Sequence, residues 1–213
     1  MMTTGNAPYD QRLARMLIRP FAGSALHPNH VTTLSLLFGM VSGCMFLFGS
    51  AGVEHLGAAL FIAAVLTDHM DGELARMTGK TSTFGHYFDY IAGSLIYTIL
   101  FCSLGVAMFR WFGSEPALWI GLAAGSSNIL IVGLRIALER RHGSEAVEHP
   151  RSGGFEIEDF IYLIGPITWF GGLVYFFWVY ALGTLAYLLW TLAELLRREV
   201  RHRRRLRAGD SDF

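Results

Sequence analysis

Asp68, Asp71 and Asp89 are three carboxylates set beside almost bare backbone, in the stretch 68–93 that reads DHMDGELARMTGKTSTFGHYFDYIAG. They stand where two long apolar runs meet polar sequence. Charged side chains are expensive near hydrocarbon and mark a site when they persist there. Asp68 and Asp71 are three apart, so on a helix they share a face, and Gly72 and Ala75 continue it with little side chain. Gly85, Asp89 and Gly93 form a second stripe at i, i+4 and i+8. Packed together, the two stripes give a nest of oxygen ligands with room beside it. That chemistry suits a hard divalent cation such as Mg²⁺ or Mn²⁺, which prefers oxygen and commonly shares its sphere with phosphates. Arg76 adds a planar fork able to grip a phosphate in two places.

The same residues carry a resemblance. Asp68-x-x-Asp71-Gly72-x-x-Ala75-Arg76, then eight residues, then Gly85-x-x-x-Asp89, resembles the signature of the CDP-alcohol phosphotransferase (CDP-alcohol phosphatidyltransferase) family. Seven of its eight fixed positions match, and Gly93 stands where the final aspartate is expected. Pro28-Asn29-x-x-Thr32 is similar to a segment that precedes the first membrane helix in that family. The resemblance implies an all-α, six-helix membrane fold, a tendency to homodimers, and transfer of a phosphate-linked group from a CDP-alcohol to a second alcohol with release of CMP. CDP-diacylglycerol is the usual donor, which places the reaction in phospholipid synthesis. Asp68, Asp71 and Asp89 are then expected to hold the metal. Gly72, Ala75, Arg76 and Gly85, with Asn29 and Thr32, are expected around the CDP moiety. The resemblance implies that an aspartate at position 93 would complete the metal site and take the acceptor's proton, roles that Gly93 cannot fill. Asp89 remains a candidate for the catalytic role, with His86, or else His69, as replacement base. A family member that binds CDP-lipid and metal without efficient turnover is the alternative.

The elements that must position these residues are membrane helices. Hydrophobic residues make up 53% of the 213 and charged residues only 16%, far from soluble averages. Crossing a bilayer takes ~20 mostly apolar residues. The spans are expected at Val31–Gly49, Leu56–Thr67 extended through the aspartates, Phe88–Phe109 and Ala117–Leu138. The 36-residue run Phe160–Leu195 is divided into two helices meeting near 176–180. Gly39, Gly43, Gly121, Gly125, Gly171 and Gly172 supply close packing. Cys44 and Cys102 are expected as small buried thiols, with no disulfide framework.

Residues 9–21 interleave Arg12, Arg15 and Arg19 with Leu13, Met16, Leu17 and Ile18, the pattern of an amphipathic helix lying in the interface and ended by Pro20. The chain is thus divided into an N-terminal interfacial helix and lead-in (1–30), a six-helix membrane domain (31–196) and a basic tail (197–213). Charge interrupts the first 25 residues, so no signal-peptide core is expected there. Six spans put both termini and the 68–88 and 139–159 loops on one side. That side carries all of the 17 Lys and Arg except Arg110. The positive-inside rule then makes it cytoplasmic, in the cell (inner) membrane.

Arg135, Arg140 and Arg141 lie near the end of the fourth span. Arg135 either snorkels to the interface or meets the phosphate of an acceptor such as a polyol phosphate. Glu156, Glu158 and Asp159 read as solvated loop charges. The tail RREVRHRRRLR anchors the inner face and attracts anionic lipid headgroups. Nucleic acid is not an expected partner, because no soluble module accompanies the basic run. A cation transporter would have no use for Gly72, Ala75 and Arg76. Asn29 either caps the first span or lies near the nucleotide.

Overall fold

The computed structural model describes residues 9–49, 52–142 and 157–208, and among these there is no strand. Helix α1 (Tyr9–Ile18) runs into a short 3-10 turn at Arg19–Phe21 carrying Pro20. Then come α2 (Pro28–Phe48), α3 (Val53–Thr78), α4 (Thr83–Phe112) and α5 (Glu115–His142). A 3-10 stretch, Ile157–Leu163, continues into the short α6 (Ile164–Trp169), and α7 (Leu173–Ala208) closes the chain. Helices α2, α3, α4, α5 and α7 are long and apolar enough to cross a membrane. Their sequences are apolar on most faces, as expected of helices packed in a bundle within lipid.

Two boundaries differ from expectation. The connection between the aspartate-bearing helices is only Gly79–Ser82, not the whole of 68–88. The polar residues stay helical because both ends are well closed. Gly79 adopts φ 67° and ends α3, while the Ser82 hydroxyl accepts a hydrogen bond from the Gly85 amide at 2.9 Å. The second difference is the break in the last apolar run, at Phe170–Gly172 rather than 176–180. Gly171 takes φ 78°, and the Gly172 amide bonds back to the Ile167 carbonyl at 2.7 Å. These glycines therefore make a turn rather than a packing face. Phe176 and Phe177, near the expected break, are buried inside α7. The helical backbone of α7 also continues through the proposed tail as far as Ala208.

Helix α2 lies between α3 and α4, α4 packs along α5, and α5 along α7. The core is aromatic and aliphatic, with Phe46, Phe61, Phe101, Leu104, Phe176 and Phe177 fully buried. At the α4–α5 crossing a Cβ on Gly121 would lie 2.6 Å from the Cα of Gly105, so the two backbones touch. Gly125 plays the same part against Cys102 and the Thr98 carbonyl, and Gly39 and Gly43 admit Ile96 and Ile99 of α4. Thr98 seals the crossing by donating to the Gly125 carbonyl at 3.0 Å. Cys44, expected buried, is exposed on α2.

Helix α1 docks on the end of α3. Ala14 and Ile18 are buried, and Ile18 joins Val31 and Leu74 in a small satellite core. The segment 157–169 also follows α3: the Tyr162 hydroxyl lies 3.0 Å from His69, and the Trp169 indole donates to the His55 carbonyl at 3.4 Å.

Candidate functional site

The starts of α2 and α4 and the end of α3 come together. Helix α3 carries Asp68 and Asp71, and α4 carries Asp89. One carboxylate oxygen from each residue lies within 4.8 Å of the others. Asp71 is buried, and the other two are half-buried. A six-coordinate ion with oxygens at 2.0–2.1 Å separates its ligands by about 3 to 4 Å. Small side-chain shifts would bring all three onto one cation, so the residues present fit such an ion. The donor set is all oxygen, which favours a hard cation over zinc or copper. Left alone, unit charges about 4 Å apart repel by about 4 kcal/mol per pair at an effective dielectric of 20. A cation reverses that penalty.

Helix α2 supplies the hydroxyls. Thr32, itself buried, donates to Asp71 Oδ2. Ser35 Oγ is 3.4 Å from Asp68 Oδ1 but only 2.8 Å from the Thr32 carbonyl, so its single proton belongs mainly to the backbone. Sequence inspection missed Ser35, although its spacing from Thr32 puts both on one helical face. Asn29 does not cap α2. His27 does, its ring nitrogen accepting from the Asn29 amide at 3.2 Å, with Pro28 in the first turn. Asn29 instead faces Gly85, where a Cβ would lie 3.2 Å from Asn29 Oδ1.

Gly72 lets the Arg76 side chain lie over bare backbone, where a Cβ would meet its guanidinium at an ordinary 3.5 Å contact. Ala75 lies half-buried one turn after Asp71. Arg76 is exposed and donates from Nη2 to Glu73 at 2.7 Å. Glu73 is buried and also lies 3.9 Å from Arg15 on α1, a bridge the sequence reading did not foresee. Gly93 opens directly onto the cluster: a Cβ there would sit 3.4 Å from Asp68 Oδ2.

The two histidines point to other elements. His86 Nε2 lies 3.1 Å and 3.3 Å from the two oxygens of Glu139 on α5, and its ring centroid is 4.5 Å from that of Tyr90. His69 Nδ1 lies 2.8 Å from Asp10 Oδ2 of α1 and 3.0 Å from the Tyr162 hydroxyl. Arg135 is half-buried on α5, one turn before Glu139. Arg140 donates to the Tyr87 hydroxyl at 3.2 Å and covers its ring at 5.0 Å. Arg151 and Glu156 lie outside the described residues, as do the side chains of Glu158, Asp159 and the arginines after Arg197.

Known proteins resemble this chain in the same region. It is 35% identical over 69 residues to the CDP-diacylglycerol–glycerol-3-phosphate 3-phosphatidyltransferase of Rickettsia typhi, covering 32% of this chain and 39% of that protein. It is 33% identical over 146 residues to the CDP-diacylglycerol–serine O-phosphatidyltransferase of Helicobacter pylori, covering 55% of this chain and 60% of that one. A protein of Bacillus subtilis bearing the glycerol-3-phosphate transferase name is 34% identical over 90 residues, 42% of this chain and 44% of the relative. The chain thus aligns with less than two thirds of each of these relatives. The sequence model described as CDP-alcohol phosphatidyltransferase, by contrast, matches residues 25–200, from the lead-in to α2 well into α7 and across the whole carboxylate cluster. With that match and the signature residues gathered at the meeting of α2, α3 and α4, this chain belongs to the CDP-alcohol phosphatidyltransferase family.

Proposed function

We propose that the protein is a membrane transferase that moves the phosphatidyl (or other substituted phosphate) group of a CDP-alcohol, CDP-diacylglycerol in the first instance, to a small alcohol or polyol phosphate, releasing CMP. The observation that carries this reading is the meeting of three carboxylates on α3 and α4 beside an open glycine floor and Arg76. The family match and the relatives' names support the reaction class, a step of phospholipid synthesis. Glycerol 3-phosphate and serine, named in those relatives, define the acceptor classes to test first.

Asp68, Asp71 and Asp89 would hold Mg²⁺ or Mn²⁺, which when bound offsets the charge of the CDP diphosphate. Thr32 keeps Asp71 oriented through its hydrogen bond. Asn29, Thr32, Gly72, Ala75 and Gly85 line the cytidine and diphosphate, and Arg76 grips a phosphate oxygen pair. The acceptor hydroxyl oxygen bonds to phosphorus, the bond from phosphorus to CMP breaks, and the hydroxyl proton passes to Asp89 or to His86, whose ring Glu139 orients. Arg135 is assigned to the acceptor's phosphate where it has one. Most of the catalytic effect on this reading comes from positioning and charge stabilisation.

The segment 157–169 is assigned as a sixth crossing. Helix α5 ends beside the site, through Glu139 and His86, whereas α7 starts where Val174 and Trp178 meet Met108 and Phe112 near the end of α4. The chain must return across the bundle between them. Helix α1 then lies in the interface, the site and both termini face the cytoplasm, and the protein works as a homodimer in the inner membrane. Membranes holding the full chain should release CMP from radiolabelled CDP-diacylglycerol when given Mg²⁺ and the right alcohol. Absence of release across serine, glycerol 3-phosphate and inositol phosphate would reject the activity.

A further inference from the structure

Helix α1 has three distinct stripes. Asp10, Ala14 and Ile18 form the inner one, held on α3 by burial and by the Asp10–His69 contact. On one flank Leu13 and Leu17 are 43% and 42% exposed, next to Tyr9, whose ring lies 5.7 Å from the Arg12 guanidinium. On the other flank Arg12, Arg15 and Arg19 line a groove of about 480 Å³ between α1 and α3, together with Met16, Glu73 and Met77. Among the described residues no carboxylate lies within 4 Å of Arg12 or Arg19. The groove's only acidic lining residue among those described, Glu73, sits 3.9 Å from Arg15 and is already bonded to Arg76 at 2.7 Å.

We propose that this groove is a binding site for the phosphate of an anionic phospholipid headgroup, separate from the three-carboxylate cluster. The apolar flank decides the source of the phosphate. A helix whose exposed apolar flank is leucine rests on the acyl boundary, which sets the arginine flank at the depth of the headgroups. Guanidinium forks suit phosphate oxygens bidentately, and a lipid phosphate held in two dimensions beside the groove is at far higher local concentration than a soluble one. The methionines supply an adaptable apolar floor for the glycerol backbone. Because Glu73 is shared, a phosphate that draws Arg15 away leaves Glu73 to Arg76 alone. The bound lipid thereby adjusts the arginine next to the carboxylate cluster. That last consequence rests on the proposed role of Arg76, whereas the binding itself does not.

The test uses the full chain in neutral detergent micelles doped with phosphatidylglycerol or phosphatidylcholine, reading retained lipid by native mass spectrometry. Phosphatidylglycerol should be retained saturably, at about one tightly held molecule per chain, and phosphatidylcholine should not. Two arginines near an anionic surface contribute about 1 kcal/mol each, so Arg12→Gln with Arg19→Gln should weaken retention about thirtyfold. Arg12→Lys with Arg19→Lys should keep the charge-driven part and recover most of it, which separates lost charge from lost folding. Replacing Arg203, Arg204 and Arg205 by Gln should leave the tight molecule in place. The proposal is overturned if phosphatidylcholine is retained equally, if the tail variant loses the lipid while the Arg12/Arg19 variant keeps it, or if millimolar inorganic phosphate displaces it completely, which would mark a soluble-phosphate site. CMP release measured in parallel reports on the proposed reaction and can fail independently of lipid retention.

Discussion

A side chain at position 93 would enter the carboxylate cluster without moving the backbone, since its Cβ would meet Asp68 at an ordinary 3.4 Å contact. Gly93→Asp should therefore fold and add a fourth oxygen ligand. Its CMP release should rise, by about 10²-fold or more if the new carboxylate acts as the positioned base, whose typical contribution is about 10² to 10⁴. Unchanged turnover would assign the proton to another group. Asp71→Asn removes the buried ligand and should abolish metal-dependent CDP binding in calorimetry; persistence of that binding would reject the ligand assignment. Thr32→Val strands Asp71 without its hydroxyl donor and should lower stability by about 1–3 kcal/mol, read from thermal unfolding. The three aspartates were legible because spacing places Asp68 with Asp71, and Asp89 with Gly85, each on one helical face, and the family signature joins the two stripes. Glu73 and Ser35 were not, since a lone carboxylate or serine inside a helix announces no partner until the neighbouring helices are in place.

Between helices, closeness is set by glycine. Gly121→Val would drive a Cβ into the backbone of Gly105 at 2.6 Å, where no side-chain rotation gives relief. Overpacking of this kind costs about 1–3 kcal/mol or more, so its melting temperature in detergent should fall clearly. Gly133→Ala and Gly183→Ala, with nothing within 4 Å, should instead leave stability within about 1 kcal/mol of the parent or raise it. Five of the spans could be read from apolar length alone. The ends could not, because polar residues at 68–78 and 83–88 remain helical when capped by Gly79 and Ser82, and length by itself does not place a break. In the last run the signal was the positive φ demanded at Gly171, which outweighs any even division of 36 residues.

For the molecule as a whole, sidedness follows from where helix ends gather. Contacts of Thr32 with Asp71, of His86 with Glu139 and of Asp10 with His69 bring the polar ends together, while Arg110 lies exposed at the opposite end of α4. With Cys44 and Cys102 replaced by alanine, Arg110→Cys should react with an impermeant maleimide on intact cells, and Lys80→Cys only after permeabilisation. The reverse pattern would invert the assigned orientation. That these polar ends share one side of the bundle was legible in the basic bias, whereas the docking of α1 through Asp10 was silent in the sequence. One feature of the chain's order bears on how it is made. All three carboxylates and the hydroxyls that support them lie between Thr32 and Asp89, on three successive helices joined by short links. Each of these pieces is therefore synthesised before α5 begins, so the carboxylate corner can start to assemble before the later helices are complete and serve as the template on which they settle.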